Sequence, residues 1–173
     1  VPRYRRVMEP SHRTVPHTRR IALLLLAAGS TLVMAGCSSG SVTISNGPCS
    51  GRSFTVSDDG AQLALDGPCG DVVVDADHVT LNIDSATSLV IHGDDATVIA
   101  NKRLDELTVH GETDKVNGAE MGRVTVKGTR GEVIASRIDR LAVSGRQNTV
   151  NWDSGADAGT DTGTDNTLIY NGG

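Results

Sequence analysis

At 173 residues the chain has room for one domain and a few additional segments. Aromatic residues make up 2% and Gly numbers 20, so a core must be built from Val, Leu, Ile and small residues rather than from rings. The formal charge of −5 conceals an asymmetry: residues 1–36 hold six Arg against the single acid Glu9, leaving 10 basic and 20 acidic residues, about −10, for the remainder. That balance argues against nucleic acid as a partner, since phosphate binding needs clustered Lys and Arg, and against adhesion of the folded part to anionic headgroups.

In chain order, the first element is an Arg-rich segment followed by the apolar run Ile21 to Gly36. This is the layout of a secretory signal peptide. A transmembrane helix fits less well, because the 16-residue run is broken by Gly29, Ser30 and Thr31 and falls short of the ~20 residues a bilayer needs. Thr18-Arg19-Arg20 has a faint twin-arginine look, but the strongly apolar run suits the general secretory route. Translation starts at Val1, read from an alternative start codon, or at Met8. The run ends in Met34-Ala35-Gly36-Cys37, which resembles the lipobox of bacterial lipoproteins. The resemblance implies cleavage between Gly36 and Cys37 and a diacylglyceryl thioether, with palmitate-type acyl chains, on Cys37. Two acyl chains give the stable anchoring that one cannot. Residues 37–48 then read as the lipidated cysteine and a flexible Ser/Gly tether.

The remaining cysteines, Cys49 and Cys69, sit in the matching strings Gly47-Pro48-Cys49 and Gly67-Pro68-Cys69. An even pair in an exported chain reads as a disulfide. A redox motif or zinc cluster would need closer spacing or more thiols.

From Phe54 onward the sequence repeats every 17 or 18 residues. Units begin at Phe54-Thr55-Val56, Val72-Val73-Val74, Leu89-Val90-Ile91, Leu107-Thr108-Val109, Val124-Thr125-Val126 and Leu141-Ala142-Val143. A second apolar pair follows nine residues later, from Leu63/Leu65 to Val150/Trp152, and a looser apolar position comes at Leu104, Met121 and Ile138. Alternation within each pair has period two, which marks short strands with one buried face. Gly93, Gly111, Gly128 and Gly145 fall in register after the first pair, where a tight bend with positive φ is expected. Identical offsets over six repeats predict an all-β fold, a parallel β-helix (β-solenoid) of about 6–7 coils spanning 49–173. The competing arrangement is an antiparallel sandwich, which does not usually keep such register. The aromatics fall at the two ends, Phe54 in the first coil and Trp152 and Tyr170 in the last. An acidic Gly/Thr loop at 153–165 interrupts the pattern.

Coils of Gly-x-x-Asn-x-Val type behind the Gly-Pro-Cys pair and the lipobox resemble a family of uncharacterised secreted actinobacterial lipoproteins with a repeat-built β domain. The likeness covers about residues 42–173. It implies no catalytic residues, so only the lipid cysteine carries over.

Stacked offsets create outward columns. Ser57, Asp75, His92, His110, Lys127 and Ser144 form one, in which Asp75, His92 and His110 lie close enough to share a divalent metal. Lys127 would repel such a cation, so the reading is no metal, with these three residues as the nearest candidate. Asp153, Asp157, Asp161 and Asp165 invite calcium, yet neither the β-roll nonapeptide nor EF-hand spacing is present. The paired acids Asp58-Asp59 and Asp94-Asp95 fall in short turns, acids otherwise scatter across offsets, and no insertion is long enough to wall a cleft.

The expected function is a non-enzymatic, lipid-anchored envelope protein on the extracytoplasmic face, with no cofactor, presenting a flat acidic surface to another envelope protein or glycan. The alternative is a small cell-wall carbohydrate-binding or carbohydrate-active protein working along one solenoid face.

Overall fold

The computed structural model describes residues 47–172. The expected signal segment, the expected Gly36/Cys37 cleavage pair and the expected tether up to Asn46 lie outside the described residues. Among those described there is no helix, and ten strands form one sheet wound into a parallel β-solenoid of about seven coils. The long strands are β3 (Gln62–Val74), β4 (Thr80–Ile91), β5 (Thr97–Val109), β6 (Lys115–Val126) and β7 (Glu132–Val143). Shorter ones lie at the two ends: β1 (Gly47–Pro48), β2 (Phe54–Val56), β8 (Thr149–Gly155), β9 (Thr160–Asp161) and β10 (Thr167–Tyr170). Each strand pairs in parallel with its equivalent one repeat away, so Val72, Leu89, Leu107, Val124 and Leu141 stack in one column. An antiparallel sandwich is thereby set aside. The difference between 17- and 18-residue coils is absorbed at one corner, where the register slips between Leu65 and Pro68, Ile83 and Ala86, and Ala100 and Arg103.

Period-two alternation buries one side of each strand; in β4 these residues are Leu81, Ile83, Leu89 and Ile91, all fully buried. Each such side chain contributes roughly 1.5–3 kcal/mol over its exposed state. Two neighbouring inward columns compensate in volume. One runs Ile83, Ala100, Gly118, Ala135, Trp152, and the other runs Ala86, Leu104, Met121, Ile138, Gly155. A Cβ on Gly118 would stand 2.5 Å from the Met121 Cε, so the methionine fills the room the glycine leaves.

The in-register turn glycines occupy the expected places for a different reason. Gly93, Gly111, Gly128 and Gly145 do not have positive φ. Instead, a Cβ on Gly111, Gly128 or Gly145 would lie 1.9, 2.0 or 2.0 Å from the glycine carbonyl of the coil below, and on Gly93 it would lie 2.0 Å from the Ala76 carbonyl. The left-handed residue comes two positions later and is glycine only once. Gly60, His78, Asp95, Thr113, Arg130, Gln147 and Asp165 hold φ between 55° and 71°. Non-glycine residues adopt this region at a cost of about 1–2 kcal/mol each. The conformation aims their N–H groups at the next coil, as from Asp95 to the Glu112 carbonyl and from Thr113 to the Thr129 carbonyl, both 2.9 Å.

The acidic segment at 153–165 is built into the stack rather than looping out of it. Thr160 and Asp161 pair with Ala142 and Val143, Thr164 bridges to Arg146, and the Asp161 carboxylate accepts from the Gly163 N–H and the Asn166 side chain, each at 2.9 Å. At the ends, the Cys49–Cys69 disulfide ties the chain entering the first coil to the coil's far corner. Trp152 stacks on Tyr170 at 5.6 Å and donates its indole N–H to the Ala156 carbonyl at 2.7 Å.

Gly128→Ala should lower the urea-unfolding free energy by about 3 kcal/mol or more, because backbone rather than a movable side chain blocks the new methyl. Gly47→Ala, with nothing within 4 Å of its Cβ position, is the control expected to leave stability near wild type.

Candidate functional site

Three polar columns follow from the register. The first is the outward column Ser57, Asp75, His92, His110, Lys127, Ser144, all exposed as expected. Within it the His92 Nδ1 lies 2.7 Å from the Asp75 Oδ1, and the His92 and His110 rings meet at a tilt of 55° with centroids 5.1 Å apart. These side chains run along the rod axis, each engaged with its neighbour, and do not converge on a common point. Among the described residues no group of three or more His, Cys, Asp or Glu is arranged to hold a metal ion. Partial burial holds the His110 imidazole below the ordinary histidine range, with Lys127 and then His92 adding to the effect. The column thus presents an imidazole held toward its neutral form between an Asp-bound histidine and a lysine.

The second column lies in the turns. Asp59, Asp77, Asp94 and Glu112 occupy one place on successive coils, although acids were expected to scatter across offsets. Their stacking has a backbone cause. The Asp77, Asp94 and Glu112 N–H groups donate to the Asp59, Asp77 and Asp94 carboxylates at 3.0, 2.8 and 2.7 Å. These carboxylates satisfy turn amides and do not face each other across a cleft, so they do not form a glycosidase-like pair.

The third column is interior and was not recognised in the sequence. It carries Asp114 and Asn148, the two polar side chains counted as buried, each 1% exposed. Burial pushes the Asp114 carboxyl up to about 7, the Ala96 N–H opposes this, and Asp94, Asp95 and Asp77 reinforce it. The visible signal was the offset itself: Asp114, Asn148 and Asn166 each fall one residue after the left-handed position.

Charge on the outside is segregated rather than uniformly acidic. Residues 47–105 hold ten acids and three bases, whereas 106–152 hold six acids, one of them the buried Asp114, and seven bases. Arg103 links coils by bonding Asp105 at 2.8 Å and Asp139 at 3.2 Å, and it crosses Gly122, whose Cβ would stand 3.0 Å from the guanidinium. Arg103 and then Arg137 hold the Asp139 carboxyl below the usual range. On the opposite register a flat face alternates Asn82, Ile99, Asn117, Ile134, Asn151 and Ile169. Ile99 and Ile134 are 46% and 39% exposed beside Lys115 and Glu132, and together they line an open hollow.

Residues 106–165 match the model of a family described as a protein of unknown function (DUF3060). The match covers the later coils, a narrower span than the 42–173 expected from the repeat. No curated protein and no solved structure matches the chain significantly.

Removing the charge beside His110 by Lys127→Ala should raise the titration midpoint of that imidazole, followed by NMR of its ring protons. The midpoint should remain below that of a free histidine, because burial, the larger cause, persists.

Proposed function

We propose that the chain is a lipid-anchored protein of an actinobacterial cell envelope whose solenoid serves as a non-catalytic interaction module. The observation that carries this reading is the uniformity of the coils: repeats of 17 or 18 residues throughout the stack, with no side loops raised around a cleft among the described residues. The Met34-Ala35-Gly36-Cys37 string supports an anchor on Cys37, and the Cys49–Cys69 bridge suits an oxidising, extracytoplasmic compartment. The face bearing Ile99 and Ile134 supplies an apolar centre with a charged rim at Lys115 and Glu132, the composition of a protein-binding patch.

A second reading, binding of a cell-wall glycan, draws on the same face. Its alternating Asn and Ile side chains offer amide hydrogen bonds and aliphatic contact at regular spacing along the rod.

Two experiments separate the parts of this proposal. Cys37→Ser should abolish incorporation of labelled palmitate and move the protein out of the membrane fraction. Palmitate labelling that survives the substitution refutes the anchor. A pull-down from solubilised envelope with the full lipidated chain should recover a partner that Ile99→Asp with Ile134→Asp loses. Reproducible binding to one glycan on an array, with no protein partner, would instead establish the second reading.

A further inference from the structure

The interior column after the left-handed residue runs Ala61, Val79, Ala96, Asp114, Gly131, Asn148 and Asn166. Its two asparagines show what that position offers. Asn148 accepts the Gly131 N–H at its Oδ1 (2.8 Å) and donates from Nδ2 to the Gly128 carbonyl (2.9 Å). Asn166 repeats the fork one coil on, accepting the Asn148 N–H at 2.9 Å and donating to the Gly145 carbonyl at 3.0 Å. An amide suits the fork because one arm accepts and the other donates.

Asp114 occupies the same fork. Its Oδ1 accepts the Ala96 N–H at 2.8 Å, as the asparagines do. Its Oδ2 stands where the amide nitrogen would be, is buried, and has no donor directed at it. The superposition can be read from one reference point, the place where a Cβ on the turn glycine would stand. For Gly145 that point is 2.0 Å from the Gly128 carbonyl oxygen and 2.7 Å from the Asn148 Nδ2; for Gly163 it is 1.9 Å from the Gly145 oxygen and 2.6 Å from the Asn166 Nδ2. For Gly111 it is 1.9 Å from the Gly93 oxygen and 2.5 Å from the Asp114 Oδ2. The third fork therefore sets two oxygen acceptors against each other at a buried position, where an unpaired acceptor is costly.

We propose that Asp114 is held in the fold as a neutral carboxylic acid that donates its Oδ2 proton to the Gly93 carbonyl, which makes the joint between the Gly93 and Gly111 turns a pH-sensitive element of the rod. The acids around it act in the same direction as burial, against the Ala96 N–H bond. Asp94, Asp95 and Asp77 in the turns below disfavour a further negative charge, and burial pushes the carboxyl up to about 7. His78 lies 3.6 Å from Asp95, and Arg130 from the coil above is taken up by Glu112 at 2.8 Å.

The sign of the pH dependence follows. The folded carboxyl titrates near 7 and the unfolded one near 3.8, so folding takes up a proton between those values. Stability conferred by the neutral form is complete below the unfolded value. It declines as pH rises through the window, and the slope disappears once the folded group has ionised. Asp114→Asn carries a permanent donor and has no such slope.

The test compares thermal melts of the full chain and its Asp114→Asn variant from about pH 5 to about pH 9. The variant should melt several degrees higher at about pH 8, with a gap that widens between about pH 5 and about pH 7 and is flat beyond. A gap independent of pH, or a variant that melts below wild type at about pH 8, overturns the proposal. Carbon-13 NMR of the wild-type Asp114 carboxyl decides the matter even if the variant fails to fold. A midpoint near 7 sustains the proposal, and one at or below about 4 refutes it.

Discussion

At the turns the backbone of one coil occupies the space a side chain of the next would need, and the rest of the rod is arranged around that constraint. A glycine carbonyl of one coil fills the space where the Cβ of the next coil's glycine would stand, from Gly93 through Gly163. That contact fixes how tightly successive turns nest, at the ~4.8 Å spacing that parallel hydrogen bonding requires. The positive φ falls two positions after the nesting residue, on His78, Asp95, Thr113, Arg130, Gln147 and Asp165. The inward columns then need only match volumes along the axis, as Gly118 and Met121 do.

Much of this was legible beforehand. The repeat length, the inward pairs, the parallel stack, the Cys49–Cys69 bridge and the terminal aromatics all follow from periodicity and composition, because each coil repeats one local problem. What eluded the sequence were the reasons behind shared positions. A glycine in register can mean left-handed backbone or close approach, and only neighbouring coordinates tell them apart. Asp153 to Asp165 looked like an interruption since its apolar pattern lapses, yet main-chain pairing through Thr160, Asp161 and Thr164 needs no apolar side chains. Asp59, Asp77, Asp94 and Glu112 looked scattered because 17- and 18-residue spacings alternate and blur the offset. Asp114 was hidden by its identity, since an aspartate next to Lys115 reads as a surface residue until its column is aligned with Asn148.

The candidate site was less legible than the fold. Asp75, His92, His110 and Lys127 do share a column, but sharing one sets residues in file along the axis and not around a centre. A solenoid face naturally makes lines. Chemistry that needs convergence requires something to break the line, whereas recognition of an extended partner does not. The segregation of charge between residues 47–105 and 106–152 gives such a line a direction.

The disulfide has a corollary. In a stack where each coil contacts mainly its neighbours, stability is close to a sum over coils and the interfaces between them. Cys49 and Cys69 close a covalent loop around the first coil, so unfolding that coil releases fewer chain conformations than unfolding an unlinked one. The bridged first coil is therefore the part of the stack whose loss yields the least chain entropy.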